Sequence, residues 1–183
     1  MKNLHPAIEE VLVKHEDIVA KCEELGQRIS KDYEGKCPIL IGLLKGAVPF
    51  MAELIKHITC DIQIDFMDVS SYNGVESTGV VRILRDVSSD VSGRDIIFVE
   101  DIIDTGLTLH AVVQEFKTRK AGSIEIATLL DKPEGRKIND VVPKYIGYNI
   151  PKKFVVGFGL DYNEIYRNLP YIGVLKREIY ENK

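Results

Sequence analysis

The chain has 183 residues, a formal net charge of −4, and 45% hydrophobic and 28% charged residues. That length bounds one domain with a core of its own, and the charge excludes the global basic field of a nucleic-acid binder. The longest apolar run, near Pro38–Leu44, is too short to span a membrane, the opening MKNLHPAIEE lacks a signal peptide's apolar stretch, and three cysteines without a CxxC spacing read as reduced thiols of a cytoplasmic protein.

Ile8–Val13 predicts a short strand. Ile18, Cys22, Leu25 and Ile29 recur every three or four positions, which predicts a helix from about Glu16 to Tyr33 with one buried stripe. Ile39–Leu43 follows as a strand, and Gly42, Lys45, Gly46 and Ala47 form a tight turn into a helix that reaches about His57, with Pro49 suited to its first turn. Asp61–Val69 alternates Ile62, Ile64 and Phe66 on one face and predicts another strand. Ser70–Gly79 is polar and contains glycine, so it reads as a long hairpin loop before a return strand, Val80–Leu84.

The segment Ile96–Thr108, IIFVEDIIDTGLT, carries the most information. Four apolar residues make a buried strand. Glu100 and Asp101 sit at its C-terminal end, and Asp104 opens a turn before an apolar-periodic helix, Leu107–Lys117. Open α/β folds bind ligands beyond the C-terminal ends of their strands, and a turn into a helix N-terminus offers free N–H groups to a phosphate. Carboxylates beside such a cradle need a cation or sugar hydroxyls between them and the anion. The pairing points to a phosphorylated sugar with magnesium.

Downstream, Ile124–Leu130 is a strand, Pro133–Val142 a polar loop, and Ile146–Ile150, Phe154–Gly159 and Tyr171–Leu175 short extended pieces. Strands alternating with helices through the first two thirds predict an α/β fold, with a mainly parallel sheet and helices on both faces. The shorter pieces at the two ends pack together as a small lobe in this reading. His5, His15, His57 and His110 show no metal-ligand spacing.

The segment 96–108 resembles the phosphoribosyl pyrophosphate (PRPP) signature of the type I phosphoribosyltransferases. GLLKGA at 42–47, SSY at 70–72, DK at 131–132 and KFVVGFGLDYNEIYR at 153–167 narrow the resemblance to the bacterial hypoxanthine-guanine branch. The resemblance implies the type I fold as a single domain over 1–183, with a core at roughly 36–145 and a hood from roughly 1–15 and 146–183. It also implies Mg²⁺-dependent transfer of phosphoribosyl from PRPP to N9 of hypoxanthine or guanine. The products are IMP or GMP and pyrophosphate. Family members are usually homodimers or homotetramers.

Residue roles follow from the same resemblance. Glu100 and Asp101 bind the ribose hydroxyls directly or through Mg²⁺, and Asp104 is the general acid/base facing N7 of the purine. Asp104, Thr105, Gly106, Leu107 and Thr108 form the 5′-phosphate loop. Many family members carry Lys or Arg where Leu107 stands, and backbone N–H groups can make that contact instead. Leu44, Lys45 and Gly46 form the pyrophosphate loop, often with a cis peptide between 44 and 45, and Arg167 reaches the same group. Ser71 and Tyr72 belong to a mobile lid. Lys132 donates to O6 of the base, Phe154 stacks on it, Val155 bonds it through the backbone, and Asp161 binds a second Mg²⁺ beside it. Two alternatives stand beside this reading: xanthine as the preferred base, and a homologue that senses PRPP or nucleotides instead of catalysing.

Overall fold

A computed structural model describes residues 4–71 and 81–181. The described strands are β1 (Ile8–Val13), β2 (Ile39–Leu44), β3 (Gln63–Ser71), β4 (Val81–Arg85), β5 (Asp95–Ile103), β6 (Ser123–Asp131), β7 (Tyr145–Asn149), β8 (Val155–Val156) and β9 (Ile172–Leu175). The α-helices are α1 (His15–Asp32), α2 (Ala47–Leu54), α3 (Leu107–Thr118) and a short α4 (Arg177–Tyr180).

Six strands form one sheet in the order β4-β3-β2-β5-β6-β7. All its pairings are parallel except the antiparallel β3–β4 edge. Strands covered on both faces need apolar residues at every position, and ILIGLL of β2 meets that need. Ile39, Ile41 and Leu43 join Ile96 and Phe98 of β5 against Leu109, Val112 and Phe116 of α3. On the other face Leu40, Ile97 and Val99 pack under Ile18, Cys22, Leu25 and Ile29 of α1 and Phe50 and Met51 of α2. The Phe98 and Phe116 rings meet edge-to-face at 4.9 Å between centroids, a favoured aromatic arrangement.

The second sheet is antiparallel, β1-β9-β8, and joins the two ends of the chain. The Ile146–Ile150 segment does not join it. As β7 it completes the parallel sheet beside β6. The β3 segment also differs from the sequence expectation. Ile64, expected on a buried face, is 49% exposed, whereas Asp65 and Met67 are buried. Asp65 is tolerated there because its carboxylate accepts N–H bonds from Phe66, Ser88 and Ser89 and hydroxyl bonds from Ser88 and Ser89. The expected polar loop, Pro133–Val142, is present and partly ordered. It opens with a 3₁₀ turn, Pro133–Gly135, and buries Val141.

Candidate functional site

The strand whose C-terminal end carries Glu100 and Asp101 extends on to Ile103, because β5 has two different neighbours. Its pairing with β2 stops at Val99, while its pairing with β6 continues to Ile103. Beyond Val99 one flank of β5 therefore opens where β2 turns away. Glu100 and Asp101 stand at that opening, on opposite faces of the strand.

Gly46 closes the turn against Asp101. A Cβ on Gly46 would lie 1.8 Å from Asp101 Oδ2, so a side chain there would force Asp101 or the turn to move. Burial raises the pKa of Glu100 well above the carboxylate range, and the neighbouring Asp101 charge adds to it. Burial likewise pushes Asp101 up to about 6. The Ile102 N–H, which donates to Asp101 Oδ1 at 2.7 Å, and the Arg167 cation pull it back. A carboxylate pair raised in this way fits a cation. Among the described residues no three His, Cys, Asp or Glu side chains converge on one ion. A cation held here would need its remaining ligands from water and ligand oxygens, a shell that suits magnesium.

Asp104–Thr108 forms the turn into α3. Gly106 is the residue preceding the helix and sits at φ 79°, a left-handed conformation that glycine adopts without strain. The residue at the cap is Gly106, and the Leu107 N–H donates to Thr105 Oγ1 at 3.4 Å, so the capping role that the sequence position of Asp104 allows is not taken by Asp104. The first-turn N–H groups lack intrahelical partners. A cavity of about 160 Å³ lies at this turn, lined in part by Glu100, Asp104, Thr105, Gly106 and Thr108.

The segment after β6 grips this turn residue by residue. The Lys132 N–H donates to Ile103 O at 2.9 Å, and the Lys137 N–H donates to Thr105 O at 3.0 Å. Gly135 lies so close to Asp104 that a Cβ there would stand 2.0 Å from Oδ1. Arg136 ion-pairs with buried Asp131 and lays its guanidinium beside Gly106. Its buried Nη1 has no partner. Lys132 brings its Nζ within 4.0 Å of Asp104 Oδ2. Burial lowers the pKa of that ammonium, and Asp104 opposes the shift. Arg136 was not foreseen, since a lone arginine in a polar loop carries no sequence signal beyond its spacing from Asp131.

A second cluster forms where β2 meets the 157–167 segment. The Leu44–Lys45 peptide is cis. Lys45 Nζ donates to Glu164 Oε2 at 2.7 Å. Arg167 contacts Asp161 Oδ1 and Glu164 Oε1, both at 2.9 Å, and donates from Nη1 to Gly159 O at 2.8 Å. Gly159 packs on Gly46, where a Cβ would lie 2.0 Å from Gly46 O. The two clusters thus meet through Gly46 and Asp101. Glu164 is a further residue that the sequence reading passed over inside LDYNEIYR.

Val155 is buried, while Phe154 is 38% exposed. The Phe154 ring stacks on Tyr180 at 4.8 Å and meets Tyr162 edge-on. Ser71 ends β3, its side chain and Tyr72 lying outside the described residues. A cavity of about 710 Å³, lined in part by Cys37, Cys60 and Asp61, lies at the opposite end of the sheet, before β2 and β3 begin. Size alone would favour it, but ligands of parallel sheets bind at the carboxyl ends of the strands.

Residues 10–163 match the phosphoribosyl transferase domain family, and the chain belongs to that family. Its relatives narrow the group. It is 60% identical over 178 residues to the hypoxanthine-guanine phosphoribosyltransferase of Streptococcus thermophilus, covering 97% of this chain and 98% of that one. The enzyme of the same name from Lactococcus lactis is 57% identical over 180 residues, covering 98% and 97%. The solved hypoxanthine phosphoribosyltransferase of Staphylococcus aureus superposes with a TM-score of 0.95 at 51% identity and full coverage of both chains. The Trypanosoma cruzi hypoxanthine phosphoribosyl transferase does so with a TM-score of 0.92 at 36% identity, covering 98% and 97%.

Proposed function

We propose that this chain transfers the phosphoribosyl group of PRPP to N9 of hypoxanthine or guanine, releasing pyrophosphate and forming IMP or GMP in purine salvage. The observation that carries the reading is the arrangement at the open flank of β5. A helix-N-terminal cradle and two carboxylates raised by burial lie within residues 100–108, and the largely buried Lys132, from the segment after β6, reaches Asp104.

In this reading the amides and hydroxyls of Thr105–Thr108 hold the 5′-phosphate. Backbone N–H groups suit that task, so the apolar Leu107 does not weaken it. Glu100 and Asp101 accept from the ribose hydroxyls directly or would do so through Mg²⁺, and Asp161 would hold a second Mg²⁺. When bound, the metal neutralises charge on the departing pyrophosphate. Leu44, Lys45, Gly46 and Arg167 bind that pyrophosphate. Breakage of the bond at C1 runs ahead of bond formation, leaving cationic ribose between base and leaving group, and fixed charges around it stabilise that state.

Asp104 moves the purine proton at N7 as the N9 bond forms. Lys132 donates to O6, which selects a 6-oxo base over adenine, whose amino group is itself a donor. Val155 bonds the base through its backbone. Phe154 stacks on the base. Ser71 and Tyr72 close over the reaction and exclude water from the cationic ribose. The chain acts as one domain, a core with a hood from the two ends, and works as a homodimer or homotetramer. Its free cysteines, Cys22, Cys37 and Cys60, suit the reducing cytoplasm.

The test is product formation. With PRPP, Mg²⁺ and hypoxanthine the chain makes IMP and pyrophosphate, and omission of either PRPP or Mg²⁺ abolishes both. IMP formation independent of PRPP would refute the reaction.

A further inference from the structure

The carboxylate of Glu164 lies between the two cations that the proposed function gives to pyrophosphate. Its Oε2 accepts from Lys45 Nζ at 2.7 Å and its Oε1 accepts from Arg167 Nη2 at 2.9 Å. One anion thus spans two cations through separate oxygens, as a bridging phosphate group does. We propose that Glu164 is a built-in stand-in for pyrophosphate, holding Lys45 and Arg167 together until the diphosphate displaces it. The inference rests on the assignment of those two cations to pyrophosphate.

The turn that carries Glu164 aims it at the site. Tyr162 and Ile165 exchange backbone hydrogen bonds, both 3.1 Å, and the Glu164 N–H donates to Asp161 Oδ2 at 2.9 Å. Its side chain is nonetheless the easiest partner of Arg167 to remove. Gly159 O is fixed backbone, the Asp161 side chain is 29% exposed, and the Glu164 side chain is 62% exposed. Lys45 is exposed as well, at 64%. Ion pairs this exposed are weak and exchange readily with solvent or a competing anion. A diphosphate carries more charge and more acceptors than one carboxylate, so it wins the exchange.

Two consequences follow. Without a ligand, Glu164 relieves the repulsion between Lys45 and Arg167 and keeps both near the site. With a ligand, the displaced carboxylate remains beside the diphosphate and limits how tightly it is held, which favours product release.

Glu164→Gln keeps the shape and removes the charge. Pyrophosphate binding, measured by calorimetry with Mg²⁺ present, should tighten about three- to tenfold, the scale of one neighbouring like charge at a partly exposed site. Glu164→Asp is too short to bridge both cations and should fall between wild type and Glu164→Gln. The thermal midpoint should stay unchanged in both, which separates the effect from a structural one. Unchanged or weaker pyrophosphate binding by Glu164→Gln, with normal wild-type binding, would overturn the stand-in. Failure of Lys45→Ala and Arg167→Ala to weaken wild-type-level binding would instead remove the underlying assignment of the two cations.

Discussion

Gly46 and Asp101 touch so closely that a methyl group on the glycine would overlap a carboxylate oxygen, 1.8 Å from Oδ2. This contact ties the turn after β2 to the carboxylate pair of β5. In the Gly46→Ala variant either Asp101 rotates away or the turn shifts. Overpacking of this kind costs roughly 1–3 kcal/mol of stability. A displacement of about 1 Å at the reacting centre lowers activity by about 10²-fold. Thermal denaturation and kcat/KM measured together check this. A fall in kcat/KM without loss of folding is the expected pattern.

Burial raises the folded-state pKa of Asp101 to about 6, above the 3.8 of an unperturbed aspartate. Between those values the folded protein holds more protons than the unfolded chain, so this group's contribution to stability falls as pH rises through the window. Asp32, Asp65 and Asp86 shift the other way and mask the effect in wild type alone. Asp101→Asn removes it. The stability difference between Asp101→Asn and wild type, without Mg²⁺, should grow in favour of the variant from pH 4 to pH 7. A flat difference would remove the claim that burial disfavours the charged form of Asp101 in the folded protein.

Asp104→Asn keeps the contact with Gly135 and removes the base. Turnover should fall about 10²–10⁴-fold, with PRPP affinity little changed. Single-turnover kinetics and a direct PRPP titration separate the two quantities. Equal losses in both would make Asp104 a binding group.

Lys132 is held by its own strand end and by burial, with a side chain only 12% exposed. A hydrogen bond from a charged donor contributes about 1.5–3 kcal/mol. Lys132→Ala should therefore raise the KM for hypoxanthine by roughly 10–100-fold and narrow the preference over adenine. KM values for both bases in both proteins provide the check.

Arg136 and Asp131 form a buried pair behind the phosphate turn. Removing one partner strands the other charge, so Arg136→Leu should cost about 3–5 kcal/mol. Asp131→Leu with Arg136→Leu should recover much of that loss. Denaturant unfolding of the single and double variants measures the coupling.

The parallel sheet, its helices and the carboxylate turn were legible in the sequence because both-face burial writes continuous apolar strands and the ligand end of β5 carries its own charged residues. What escaped depended on contacts between distant segments. β7 reads like the other late, short pieces, and only its parallel pairing with β6 assigns it to the large sheet. Asp65 alternates with apolar residues and gives no hint that Ser88 and Ser89 will satisfy it. Arg136 reads as surface charge until Asp131 folds beneath it. Glu164 is a central residue of the 162–165 turn, and its role depends on Lys45, 119 positions away.

The most direct measurement is one absorbance assay with PRPP and Mg²⁺ against hypoxanthine, guanine, xanthine and adenine. The account predicts nucleotide from hypoxanthine and guanine, and none from adenine. Product from adenine in preference to the 6-oxopurines, or no product from any of them, would contradict it.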